Sequence, residues 1–203
     1  MNRCSLYSAT RLAGLSIIVL TLLLTAGCVS APKRPALKGG DGIYFVENES
    51  VDLSVRQDFN AAVKLLQDEK YKEAVELLKK VIMASQRNTA PYVNIALAYI
   101  KLGEMESAEE HLKQALVINP QHPAALNEYA LLLRQTGRYA EARQQYEKVL
   151  KVYPVFMPAR KNLGILCELY LNDKACAVEQ YEVYSSANPD DGDVKLWLTL
   201  LRQ

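Results

Sequence analysis

A 34-residue period runs through this chain, and it restricts the fold to a stack of similar units. Ala62, Ala96, Ala130 and Gly164 recur at that interval, and so do Ala74, Ala108 and Ala142. Leu78, Leu112 and Tyr146 keep the same spacing, as do Val81, Ala115 and Val149. Pro120 and Pro154 close the period, and Pro189 arrives one residue late. Two antiparallel helices approach closely only where a side chain is almost absent. The column from Ala62 to Gly164 supplies that gap on the first helix of each pair, and the column from Ala74 to Ala142 supplies it on the second. Leu65, Tyr99 and Leu133 fill the space around them on first helices. Gly103 and Gly137 suit a left-handed helix–helix turn, after which Tyr139 opens a second helix, as Tyr71 does in the first unit. Each proline sits where a helix cannot continue.

From about Val55 to Pro189 these columns resemble the tetratricopeptide repeat (TPR) family. The resemblance implies an all-α, right-handed superhelix of about four antiparallel helical hairpins plus a C-terminal capping helix. Within a domain over 53–203 the units are expected at about 55–88, 89–122, 123–156 and 157–191, and the cap at about 192–202. The fourth unit departs from the pattern. Lys161-Asn162-Leu163-Gly164 fits the first helix, but the turn after Tyr170 gains a residue before Ala177, Tyr181, Tyr184 and Pro189 resume the spacing. Tyr184 replaces a small residue, so packing there must loosen or face another neighbour. The first unit lacks a turn glycine and a closing proline, as terminal units often do. Val194, Leu196, Trp197 and Leu200 are available to cover the open end, and Ser54 with Gln57 reads as a capping box for the first helix.

Residues 1–27 read as an export signal. Arg3 and Arg11 precede an uncharged apolar stretch from Leu12 to Thr25, too short for a span of about 20 residues. It ends in Leu24-Thr25-Ala26-Gly27-Cys28, which resembles the bacterial lipoprotein signal. That resemblance implies that Cys28 becomes the first mature residue and carries acyl chains, palmitate among them, for firm anchoring. The residue-level alternative is an ordinary secretory signal or an uncleaved anchor that happens to contain a cysteine. Val29 in place of aspartate implies export to the outer membrane, facing the periplasm, in a Gram-negative host, whereas a Gram-positive host would hold the protein on the outer side of its plasma membrane. Residues 28–52 then form a tether rich in proline and glycine (Pro32, Pro35, Gly39, Gly40, Gly42). Inside it Ile43-Tyr44-Phe45-Val46 is apolar without helical period, and it either docks as an extended segment on the first unit or joins a contact surface.

Charge adds little about partners. The chain carries 24 cations and 23 anions, and loss of Arg3 and Arg11 with the signal leaves 22 against 23. Without a basic stripe, nucleic acid is not an expected partner. Cys167 and Cys176 lie nine apart on either side of the fourth turn. They are either a disulfide, which an oxidising compartment permits, or two reduced cysteines serving as small core residues. Catalysis has little support. His111 and His122 are not in a metal-ligand spacing, and there is no nucleophile elbow or phosphate loop. No enzyme activity, cofactor, metal or small-molecule substrate is expected.

Binding is the expected function. In TPR arrays first helices line the concave face, which implies a groove formed by Phe59, Asn60, Val63, Leu66, Val93, Asn94, Leu97 and Ile100. The later units add Asn127, Leu131, Arg134, Lys161, Asn162, Ile165 and Glu168. Asn60, Asn94 and Asn162 share a column, with Asn127 one residue out of register. Such amides either ladder along an extended peptide, donating and accepting at once, or bond to neighbouring helices. The lining is aliphatic in the first two units and more charged in the last two. The expected role is a lipid-anchored scaffold or adaptor that binds an envelope protein or peptide during assembly of an envelope complex. The alternatives are a pilotin-like factor for a type IV pilus secretin and a structural lipoprotein binding peptidoglycan or a wall hydrolase.

Overall fold

The computed structural model describes residues 52–203, and all regular structure among them is helical. The export signal, Cys28, the tether and the Ile43–Val46 run lie outside the described residues. Four hairpins follow one another: α1 (Leu53–Gln67) with α2 (Tyr71–Ala84), α3 (Thr89–Leu102) with α4 (Met105–Ile118), α5 (Pro123–Gln135) with α6 (Tyr139–Val152), and α7 (Met157–Leu169) with α8 (Lys174–Ala187). A single helix, α9 (Gly192–Leu201), ends the array. Each helix packs most on its hairpin partner and then on the next hairpin in the chain. First helices form one layer and second helices the other. No helix among the described residues is long and apolar enough to cross a membrane.

Small residues set the helix spacing as the columns require. Ala62, Ala96, Ala130, Ala74, Ala108 and Ala142 have no exposed surface. Gly164 is the extreme case, because its partner is the buried ring of Tyr181: a Cβ there would stand 2.4 Å from Tyr181 Cε1. Tyr181 follows Tyr146, Leu112 and Leu78 along the second-helix series, and its ring occupies the space that a Cβ at position 164 would need.

The turns share one backbone solution. Lys70 N–H donates to Leu65 O at 2.8 Å, Glu104 to Tyr99 at 2.9 Å and Arg138 to Leu133 at 2.8 Å. Such a closure needs one left-handed residue. Gly103 (φ 80°) and Gly137 (φ 78°) provide it, while Glu69 (φ 59°) fills the same column in the first unit. In the fourth unit the extra residue moves it to Asn172 (φ 51°), and Asp173 N–H reaches back to Cys167 O. Cys167 and Cys176 are joined by a disulfide across this hairpin, with Cα atoms 5.9 Å apart. The cap of α1 differs from the expected Ser54/Gln57 box. Asp52 is the N-cap, and its carboxylate accepts from Ser54 N at 2.8 Å.

Ion pairs fasten successive units at a repeating separation. Glu109 of α4 accepts two bonds from Arg138, at 2.8 and 2.9 Å, and one from the Tyr129 hydroxyl at 3.1 Å. Lys113 adds a pair at 2.7 Å. Arg143 meets Asp173 at 3.0 Å, and Lys161 meets Asp191 at 2.7 Å. Asp191 also caps α9 through Val194 N and accepts from the Tyr184 hydroxyl at 2.9 Å. Tyr184 therefore faces the terminal helix, which explains a large residue in that position.

Two outcomes follow from this packing. Gly164→Ala should destabilise the domain by about 1–3 kcal/mol through overpacking against Tyr181, despite the better helix propensity of alanine. A urea midpoint equal to or above that of the parent would refute the close-approach reading. Partial burial pushes the Glu109 carboxyl up, but bonds from Lys113, Arg138 and Tyr129 outweigh it and hold it at about 2. The stabilisation it contributes is complete above the unfolded carboxylate range near 4.3 and disappears as pH falls toward 2. Glu109→Gln should therefore flatten the fall in stability between pH 5 and pH 2, read from thermal midpoints across that range.

Candidate functional site: the concave face

First-helix positions that recur at the unit spacing define the concave face. One column runs Phe59, Val93, Asn127, Lys161, and another runs Val63, Leu97, Leu131, Ile165. The extra residue at the fourth turn makes the next step 35, so both columns continue on α9 as Leu196 and Leu200. Helix α9 thus continues the first-helix series. Its positions in the columns that pack on second helices in the earlier units include Lys195 and Thr199, both exposed.

Exposure along the groove is uneven. Phe59 retains 8% of its surface, Val93 none and Leu97 6%, and Leu66, Asn94 and Asn127 are also buried. Val63, Ile100, Leu131, Arg134, Lys161, Asn162, Ile165 and Glu168 are half-buried, and Asn60 is exposed. Leu196 and Leu200, by contrast, are 56% and 57% exposed. They do not cover the open end as the sequence suggested. Val194 and Leu198 do so, because they face α8. The exposed stripe was findable by carrying the columns past the inserted turn residue.

The amides make local bonds. Asn94 Nδ2 donates to Ala90 O at 3.0 Å within its own helix. Asn162 Nδ2 donates to Asn127 Oδ1 at 3.2 Å, and Asn127 Nδ2 donates to Glu128 Oε1 at 2.9 Å. Glu128 occupies the column that holds asparagine in the other units. It keeps a small accessible surface but is enclosed on nearly all sides, and that burial raises its carboxyl to about 6 against the lowering effect of Asn127. Close by, Arg134 Nη1 and the Tyr146 hydroxyl are enclosed without a hydrogen-bond partner among the described residues. The Arg134 guanidinium lies 5.9 Å from the centre of the Tyr170 ring.

Lys161 is not the available groove cation that its sequence position suggested. It is paired with Asp191 and lies 5.3 Å from the Tyr184 ring centre and 5.7 Å from that of Trp197. Glu168 is likewise engaged, accepting from the Tyr181 hydroxyl at 2.8 Å. The free end of the groove therefore presents Leu196 and Leu200 beside an internally neutralised lysine–aromatic cluster.

Residues 86–154 match the family model described as tetratricopeptide repeat. The fold is that of a TPR array. Among solved structures, this chain is similar to pilF of Pseudomonas aeruginosa, with a TM-score of 0.67 and 23% identity, covering 73% of this chain and 67% of that one. It is similar to a tetratricopeptide repeat protein from Parabacteroides merdae, with a TM-score of 0.63 and 25% identity, covering 75% and 59%. MamA from Desulfovibrio magneticus RS-1 gives a TM-score of 0.64 at 18% identity, covering 74% and 84%. A curated relative, the small glutamine-rich tetratricopeptide repeat-containing protein 2 of Mycosarcoma maydis, is 29% identical over 128 residues. This chain spans 33% of that relative's length. TPR folds serve as scaffolds for protein–protein interaction, and this coarse function class fits the exposed groove end.

The buried carboxylate in the asparagine column gives a direct test. Glu128 ionises less readily in the folded state than in the unfolded chain, so it destabilises the fold as pH rises from about 4.5 through 6. Glu128→Gln should raise stability at pH 8 by roughly 1–2 kcal/mol and leave it nearly unchanged at pH 4. Urea midpoints at the two pH values check this, and an equal shift at both would contradict it.

Proposed function

We propose that this chain is a lipid-anchored TPR adaptor of the bacterial cell envelope, holding a protein or peptide partner in its concave groove during assembly of an envelope complex. The observation that carries the reading is the exposed Leu196/Leu200 stripe, in register with the groove columns at the open end of the array. Paired leucines one helical turn apart suit the apolar face of a partner helix. The Leu24–Cys28 sequence supports the anchor, with Cys28 as the acylated residue, and Val29 supports a position on the outer membrane facing the periplasm. No catalytic step is assigned to the chain.

A pilotin-like role, in which the chain escorts a secretin subunit to the outer membrane, is the second reading. The similarity to Pseudomonas aeruginosa pilF favours it over a wall-binding role.

Leu196→Asp combined with Leu200→Asp should reduce capture of crosslinked envelope partners by at least about tenfold, since each leucine contributes about 1.5–3 kcal/mol when buried. The circular dichroism spectrum should not change. Cys28→Ser should abolish palmitate labelling and release the protein from the membrane fraction. Undiminished capture by the double variant would overturn the groove assignment, and continued labelling of Cys28→Ser would overturn the anchor.

A further inference from the structure

The fourth hairpin is closed by a means that the other three do not use. Leu65, Tyr99 and Leu133 share one first-helix column, and each presents a bulky apolar side chain to the core. Cys167 stands in that column in unit four and is fully buried. Across the hairpin Glu73, Ser107 and Glu141 hold the matching second-helix column, exposed or half-buried. The shifted fourth unit places Cys176 there, buried. A covalent link thus takes the place of side-chain bulk, beside a turn whose left-handed residue is Asn172 rather than glycine.

The same link lies next to the support of the exposed leucine stripe. Helix α9 packs on α8 and on no other described helix. Its last turn meets the start of α8, where Leu201 and Arg202 line a cleft with Lys174, Ala175 and Val178. Arg202 also donates to Glu182 at 2.6 Å. Cys176 belongs to that first turn of α8. Leu196 and Leu200 are therefore held in place through the half of α8 that the disulfide fastens to α7. The link is reachable from one side only. Cys176 borders a second cleft, of about 240 Å³, together with Arg143, Arg160 and Gln180, while Cys167 is sealed.

We propose that the Cys167–Cys176 disulfide is a redox-sensitive latch, opened by a dithiol through Cys176, and that α8 and α9 then loosen from the array. A thiolate of the dithiol attacks Cys176 Sγ, and a new sulfur–sulfur bond forms as the Cys167 sulfur leaves and takes up a proton. The second thiol attacks the reductant's own sulfur in that bond and releases Cys176, whose thiolate is favoured at a helix start. The dithiol ends as a disulfide, and the protein has gained two electrons and two protons. With the latch open the leucine stripe loses its fixed seat, so partner capture falls. That last consequence alone rests on the adaptor reading.

Hydrogen exchange on the full chain in detergent micelles, with no partner present, tests the latch apart from that reading. After a dithiol treatment under native conditions, alkylation should label both Cys167 and Cys176. Amides of α8 and α9 should then exchange at least about tenfold faster, while those of α1 to α6 keep their rates. Cys167→Ser/Cys176→Ser should show the fast rates without reductant and no response to it. A disulfide that resists the dithiol until the chain unfolds overturns the proposal. Unchanged rates in α8 and α9 after full reduction do so as well. Equal acceleration in every helix also overturns it, because the link would then staple the whole domain. If the reduced chain loosens yet captures envelope partners undiminished, the latch stands and the groove assignment falls.

Discussion

The closest approach of paired helices, set by one column of alanine and glycine, governs the rest of the molecule. Ala62, Ala96, Ala130 and Gly164 let each first helix sit deep against its partner, and large second-helix residues fill what remains. At Gly164 the column has no Cβ, and the Tyr181 ring fills that space. This spacing keeps the first helices side by side, and only such an arrangement yields a continuous concave face. The inter-unit ion pairs of Glu109, Arg143 and Lys161 follow from the same register, each bridging to a residue about 30 positions later.

Much of the architecture was legible from the period alone, because the small columns, turn glycines and closing prolines are backbone requirements that few other residues satisfy. The turn chemistry was less legible where it was met without glycine. Glu69 and Asn172 adopt the left-handed conformation in the two units that depart from the pattern, and composition does not announce this. The asparagine column was visible, but its hydrogen bonds were not. Asn94 turns back on its own helix, while Asn162 and Asn127 point toward Glu128. Lys161 read as a groove cation because its partners, Asp191, Tyr184 and Trp197, come together only in the folded chain. Helix α9 read as a simple cap because the inserted residue near Asn172 broke the column count, hiding Leu196 and Leu200 in groove register.

The resulting groove is not uniform. Its unit-two half is enclosed and aliphatic, its middle holds the Asn162–Asn127–Glu128 chain with an enclosed arginine and tyrosine nearby, and its far end exposes two leucines. Glu128 is the position where stability is given up within the groove, since asparagine occupies the same column elsewhere without a charge to bury. Such locally unfavourable groups are characteristic of binding surfaces rather than of cores.

Site-specific photo-crosslinking in the intact envelope tests the central claim that the concave face is the partner surface. A photoreactive residue placed at Ile165 or Leu200, on first helices, is compared with one at Met83 or Val117, which are exposed on second helices. The account predicts partner adducts from Ile165 and Leu200 and none from Met83 or Val117. Adducts confined to the second-helix positions would contradict it.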